Sequence, residues 1–354
     1  ALEISEPGKS AGLTLYPEDA ELSGRARVLN IKKLPSGKGI GMLNHAAGKA
    51  TFRPTVNKAG TYVLTLLIYK QLTVREQYLQ VIVNGKINEV FTPTAKGFTP
   101  TGRVQTMIEL KEGANEIILT NPVVTAADSS FIQYRRMGNA LKAAAHKTAV
   151  EKGTREKPIL FSICEWGMAF PWHWGSRAGN MWRTTPDINA SWKSIHLIYN
   201  HNIKLYKYAC PGAWNDPDML EVGNGKLTDN ENKTHFSLWC MMAAPLILGN
   251  DVRLLVGSDG APIENHPVLK TVTNRNLIAI DQDELGKPAK RLKKIHGIDI
   301  IGRPLANGDI AVCLYNPGSR VKGISLDLSE ILTDEYLEFP QAQTYQLHEL
   351  WSDE

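Results

Sequence analysis

Between residues 158 and 251 four short apolar runs each end in polar side chains, and segments of helical spacing separate them. "ILFSI" leads into Cys164-Glu165-Trp166, and "NMWRTTPDI" carries Arg183 and Asp187. "WNDPDML" holds Asp216 and Asp218, and "PLIL" is followed by Asn250-Asp251. A continuous apolar run of this length is the mark of a strand buried on both faces of a parallel sheet. The intervening "SWKSIHLIYNHN" and "ENKTHFSLWCMMAA" have the apolar period of helices. In parallel α/β architecture the C-terminal ends of the strands converge on one face, where several can offer side chains to one ligand.

The flanking sequence has a different character. None of the eight tryptophans precedes Trp166, and seven fall between Trp166 and Trp239. Before that point the chain shows short alternating runs broken by turn residues, as an antiparallel β-sandwich requires. "ATFRPTVNKAGTYVLTLLIY" reads as strand, turn and strand, and "VQTMIELKEGANEIILTN" repeats the scheme. "QYLQVIVNGKINEVFTP" is a hairpin whose Asn84-Gly85 suits a tight turn of positive φ. From Tyr134 to Gly153 the pattern is helical, and after about residue 280 alternation returns in "DIAVCLYNP" and "AQTYQLHELW". The expected organisation is a linker over 1–13, a jelly-roll sandwich over 14–134, an α/β region over 135–280 and an antiparallel β domain over 281–354.

Bulk properties exclude several function classes. A formal charge of +4 with 43% hydrophobic residues fits an ordinary globular chain and singles out no nucleic-acid partner. The densest basic run, "KPAKRLKKIHG", reads as a solvated loop or strand edge. No stretch is long and apolar enough to span a membrane, and "ALEISEPGKS" lacks the features of a signal peptide. Cys164, Cys210, Cys240 and Cys313 form no CxxC pair, so neither a disulfide framework nor a zinc site is expected. "GKGIG" has no strand-to-helix context and is not read as a phosphate loop.

Carboxylates, arginine and tryptophan at strand ends suit a sugar. Charged groups bond its hydroxyls, and indole faces cover its C–H side. Glycosidases flank the scissile bond with two carboxyl groups, ~5–5.5 Å apart in retaining enzymes. Each residue also has a plainer reading. Asp187 could cap the helix that begins near Ser191, and Arg183 could pair with a structural carboxylate. One aspartate of "NDPDM" could fix the turn around Pro217 and leave the other free. Glu165, directly after a buried strand, needs a partner. Trp172, Trp174 and Trp239 read as core.

Taken together, "FSICEWG", "PWHW", "GNMWRTTPDI", "SWKSI", "PGAWNDPDMLEVGNG", "HFSLWCMMAAPLILGNDVR" and "IAIDQDELG" resemble glycoside hydrolase family 27, the α-galactosidase and α-N-acetylgalactosaminidase family. The resemblance is close from about Tyr134 to Gly286 and looser to the end. It implies a (β/α)8 TIM barrel followed by an antiparallel β domain, and a retaining double displacement without a catalytic cofactor. By the same resemblance Asp187 is the general acid/base, Arg183 contacts the sugar and Glu165 binds near its 2-hydroxyl. Bulky Met168 disfavours a 2-acetamido group and so favours galactose. Cys164, Trp166, Asp216 and Asp218 complete the expected substrate-binding set.

The family nucleophile, in a Y-x-K-x-D segment on the fourth barrel strand, has no counterpart here. "KLYKYACPG" has a passing likeness but ends that stretch in Ala209. Only strands five to eight are therefore expected. The missing half-barrel would come from the same polypeptide or from another chain, because a half-barrel exposes unpaired edges. The expected setting is secreted or periplasmic. Alternatives are a non-catalytic carbohydrate binder, or β-L-arabinopyranosidase or α-N-acetylgalactosaminidase activity within the family.

The N-terminal stretch, through "LYPEDAELSGRARV", "VIVNG" and "AADSSFIQY", resembles carbohydrate-binding modules of the family 6 and 35 type. That likeness implies a structural Ca²⁺ held by Glu18 or Glu21 with Asp128, a hard cation preferring oxygen donors. Glu18 could equally be an ordinary surface charge. With no tryptophan there, a sugar platform would use Tyr or Phe, with Asn121 as a hydrogen-bonding partner.

Overall fold

The alternating residues of the first third become thirteen short strands in a computed structural model that describes residues 1–9, 12–32, 34–43, 48–69, 77–92, 102–123, 128–338 and 344–352. In chain order these are β1 (Leu2–Ser5), β2 (Leu13–Leu15), β3 (Glu21–Gly24), β4 (Arg27–Asn30), β5 (Lys38–Gly41), β6 (Gly48–Phe52), β7 (Thr55–Val56), β8 (Gly60–Ile68), β9 (Gln77–Val83), β10 (Lys86–Thr92), β11 (Gly102–Leu110), β12 (Gly113–Ala114) and β13 (Ile117–Thr120). Besides the pairs β4-β5 and β7-β12, two larger antiparallel sheets form, in the orders β11-β8-β1-β2 and β10-β9-β13-β6-β3. One apolar cluster draws on both. Leu2, Leu64, Leu66 and Ile108 come from the first sheet, and Phe52, Val81, Val83 and Ile117 from the second.

The expected linker over 1–13 is corrected by β1, which lies between β2 and β8 with Leu2 and Ile4 buried. Four alternating residues, "LEIS", are too short to signal a strand by period alone, and Leu2 finds its partner as far away as Leu66. The hairpin β9–β10 forms as the residues dictate, with Asn84 at φ 46° and Gly85 at φ 86° in the left-handed region. The Asn84 side chain also donates to Asn115 Oδ1 (2.8 Å) and accepts from the Glu116 amide (2.9 Å). The other two strand–turn–strand readings are not hairpins. β6 and β8 lie in opposite sheets, as do β11 and β13, so each bend carries the chain from one sheet to the other.

A helix, α1 (Asp128–Lys152), follows, starting before Tyr134. The chain divides into two compact units, Ala1–Ala144 and Ala145–Glu354. In the second, β14 (Ser162–Ile163), β15 (Met181–Arg183) and β16 (Trp214–Asp216) are parallel with β15 in the middle. A parallel bridge joins Leu220 to Leu248. These strands are shorter than the apolar runs that announced them, and the flanks are not buried: Leu160 is 70% exposed and Ile247 49%. β14 is a sheet edge, so its apolar run is covered on one side at most.

Helices α2 (Trp192–Asn202), α3 (Asp229–Met241), α4 (Pro267–Val272) and α5 (Arg275–Asp281) follow. Ser191 caps α2, and a reciprocal box of Thr228 and Glu231 starts α3. Ile195 and Tyr199 of α2 and Phe236 and Trp239 of α3 form the centre of the core. β17 (Lys290–Ile295), β18 (Ile298–Pro304) and β19 (Ile310–Tyr315) make an antiparallel sheet whose Ile301, Ala311 and Tyr315 join that core, with α6 (Leu328–Leu332) beyond it. The basic run occupies the edge strand β17. Lys290 pairs with Asp334, Arg291 and Lys294 with Asp299, and Lys293 with Glu330. Residues 344–352 form no strand, contrary to the alternation read in "AQTYQLHELW". Among the described residues no helix is long and apolar enough to cross a membrane, and all four cysteines are free thiols.

Trp239 is fully buried and its indole Nε1 donates to the Asp218 carbonyl (2.8 Å). Trp239→Ala is expected to cost about 3–5 kcal/mol in urea unfolding. Trp239→Phe should recover most of the packing and still fall short, because the carbonyl is left unpaired.

Candidate active site

β15 presents alternate side chains to opposite faces, as any strand does. Trp182 is fully buried and donates its Nε1 hydrogen to Asn215 Oδ1 on β16 (2.8 Å). Arg183, the next residue, ends the strand and meets the loops beyond. Its Nη2 lies 2.6 Å from Asp218 Oδ2 and 3.0 Å from Asp187 Oδ1, and it also donates to the Thr185 carbonyl. The two carboxylates differ sharply in environment. Side-chain exposure is 11% for Arg183 and Asp218 but 68% for Asp187. One cation thus joins a buried anion to an exposed one.

Asp187 does not cap the following helix; Ser191 does, accepting from the Ser194 amide. Its carboxylate is therefore held through Arg183 and open to solvent. Neither aspartate of "NDPDM" is uncommitted. Asp216 Oδ1 accepts the Asp218 amide (2.8 Å) and so fixes the turn around Pro217. Asp218 Oδ2 accepts the Ile188 amide (2.8 Å) beside Arg183, and its Oδ1 accepts the Met219 amide (2.8 Å). Asp218 sits at φ 86°, a left-handed conformation costing a non-glycine residue on the order of 1 kcal/mol. Burial raises the Asp216 carboxyl to about 6, against the opposing pull of the Asp218 amide and of Arg183.

The loop after β14 carries the other expected contacts. Cys164 is exposed, Glu165 half-buried, and Trp166 and Met168 exposed. Trp166 and Phe170 have φ near +50°, and Gly167 has φ +75°. A Cβ at Gly167 would stand 2.1 Å from the Thr184 carbonyl oxygen, so only glycine lets this loop lie against the end of β15. The loop bearing Glu165 is thereby pinned beside Arg183. Glu165 makes no side-chain hydrogen bond or ion pair among the described residues; at the sheet edge it retains solvent, and the partner its position seemed to demand is not needed.

Asn250 donates to the Val222 carbonyl, whereas Asp251 merely pairs with Arg253 next door. Sequence reasoning passed over Glu221 and Asn224. Buried Glu221 accepts from Asn224, which also donates to the Gly249 carbonyl and so ties the chain after β16 to the Leu248 bridge. "KLYKYA", the near-match to a nucleophile strand, is a 3₁₀ helix over Ile203–Tyr208. Trp174 and Trp239 are core, and Trp172 is half-buried.

In the N-terminal unit Glu18 pairs with Lys38 and Glu21 with Arg53. The Asp128 side chain lies outside the described residues. Among the described residues no group of three His, Cys, Asp or Glu is placed to hold a metal. Asn121 is buried, with its side-chain oxygen accepting the Val123 amide.

Residues 136–283 match the family profile described as alpha galactosidase A, and residues 296–354 match that of the alpha galactosidase C-terminal beta sandwich domain. These two segments belong to the melibiase family. The melibiase part is 41% identical over 175 residues to alpha-galactosidase 2 of Arabidopsis thaliana, covering 49% of this chain and 42% of that one. It is 38% identical over 206 residues to an alpha-galactosidase of Oryza sativa subsp. japonica, covering 58% and 45%. Among solved structures, alpha-galactosidase I from Mortierella vinacea superposes with a TM-score of 0.54 at 28% identity, over 64% of this chain and 57% of that one. The alpha-galactosidase of Saccharomyces cerevisiae gives 0.50 at 31%, over 60% and 49%. The architecture of these melibiase relatives is a TIM barrel followed by an antiparallel β domain. The chain spans about half the length of the curated relatives it matches.

Two outcomes follow from this geometry. Gly167→Ala should lower stability by on the order of 1–3 kcal/mol in urea unfolding, because both its φ and the Thr184 carbonyl oppose a Cβ. Asp216 binds its proton more tightly when folded, at about 6 against 3.8. Its contribution to stability is therefore present below pH ~4 and lost as pH rises to ~6, a loss on the order of 3 kcal/mol. Subtracting the pH–stability curve of Asp216→Asn from that of the wild type should show this fall, and flat lines on either side.

Proposed function

We propose that the melibiase part of this chain supplies the acid/base half of a retaining exo-glycosidase acting on terminal α-D-galactosyl residues. The observation that carries this reading is the exposed Asp187 carboxylate, held by Arg183 at the end of a parallel strand with the Glu165 loop packed alongside. Proton transfer to a leaving oxygen needs a carboxyl that solvent and substrate can reach, and Asp187 is the one carboxylate of this cluster that is mostly exposed. Glu165, with Met168 three residues on, stands where the 2-hydroxyl would be read, and Trp166 offers an apolar face.

Half of the barrel and the nucleophile are assigned to a segment outside these 354 residues, in the same polypeptide or another chain. The exposed apolar flanks at Ile159–Leu160 and Ile247–Leu248 support this, since a parallel sheet is ordinarily covered at such positions. The N-terminal two-sheet unit is read as a β-sandwich of carbohydrate-binding-module type. Hydrolysis of an aryl α-galactoside by material carrying the nucleophile segment tests the proposal. Asp187→Ala is expected to lower kcat about 10²–10⁴-fold. Full retention of turnover in that variant would refute the assignment.

A further inference from the structure

Resting on that reading, we infer that Asp218 is a positioning residue that sets both the place of Asp187 and the share of the Arg183 charge that reaches it. The geometry is a clamp closed from three sides. Asp218 Oδ2 takes the Arg183 guanidinium at 2.6 Å and the Ile188 amide at 2.8 Å. Ile188 adjoins Asp187, so one oxygen fixes the side chain that holds the carboxylate and the backbone that carries it. Asp218 is in turn immobilised. Its amide donates to Asp216, its carbonyl accepts from Trp239, and its second oxygen takes the Met219 amide. Both carboxylate oxygens of Asp218 are thus engaged by protein donors, and its side chain is mostly buried.

The charge argument follows from the same distances. Arg183 has its closer contact with the buried anion and its longer one with the exposed anion. Interaction is stronger where water is excluded, so Asp218 is the standing counterion and Asp187 the weakly held one. The charged groups gathered at Asp187 are Arg183 on β15, Asp218 and Asp216 after it on the β16 segment, and Glu165 on the loop packed against Thr184. Removing the Asp218 charge takes away the buried partner of the guanidinium and leaves Asp187 as its contacting carboxylate, with Asp216 beyond. A merely structural role for Asp218 would move stability and not the Arg183–Asp187 contact.

The test uses the full chain labelled with ¹³C-aspartate and ¹⁵N-arginine, following the Arg183 guanidinium and Asp187 carboxyl resonances at one neutral pH. In Asp218→Asn both are expected to move, and in Asp218→Glu, which restores the charge, to return toward their wild-type positions. An Asp187 resonance unmoved by Asp218→Asn would overturn the inference. Should that variant not fold, wild-type amide exchange decides: an Ile188 amide protected at least tenfold relative to an open loop supports the clamp, and one exchanging at the unprotected rate overturns it. Where nucleophile-bearing material is active, Asp218→Asn should lower kcat with little change in KM. Absence of turnover in the wild type would sink the galactosidase reading alone, because the resonance and exchange measurements use no substrate.

Discussion

One guanidinium shared unequally between a buried and an exposed carboxylate organises the chemistry of this chain. Arg183 could not do this from a loop. It is fixed by β15, whose Trp182 is sealed in the core and bonded to Asn215 on the neighbouring strand. The buried carboxylate depends in turn on a turn around Pro217 and on an indole from α3. Every part of the site traces back to packing between a short parallel sheet and two helices. The strained residues Trp166, Phe170 and Asp218 all lie in the loops of this site, where strain is affordable only because so many bonds hold the backbone.

Much of this was legible in the residues. Arg183 and Asp187, read as members of one polar cluster, do lie in contact, and helical period located α2 and α3. The Asn84-Gly85 hairpin followed from turn chemistry alone. What escaped was non-local. Asp218 lies 35 positions from Arg183, and nothing in "NDPDM" announces a left-handed aspartate or says which of two carboxylates will meet the arginine. The strand at Leu2–Ser5 was hidden because its four residues are identified only by the partners on either side. The two other strand–turn–strand segments of the N-terminal unit do form strands, but a polar bend looks alike whether the chain turns back or, as here, crosses to the facing sheet.

Burial was misjudged in an informative direction. Apolar runs at 158–163 and 245–248 read as strands covered on both faces, and their outer residues are instead open to solvent. Sequence pattern reports the environment for which a segment was selected, and coordinates of one chain report the environment it has. The discrepancy lies at the β14 edge of the parallel sheet and at the separate parallel bridge through Leu248, which is where a longer β/α array would continue. The helices and the C-terminal sheet enclose Ile195, Phe236, Ile301 and Tyr315, although Leu197 and Leu314 on the same elements face solvent.

The open edge at β14 has a bearing on handling the protein. Ile159 and Leu160 make an exposed apolar lead into this edge strand, the kind of surface that recruits a copy of itself. Immediately before it stand Arg155, Glu156, Lys157 and Pro158, three charges and a residue with no amide hydrogen. Such gatekeepers blunt self-association without abolishing it. Colloidal behaviour at rising concentration would accordingly be the first property to register whether that flank is covered.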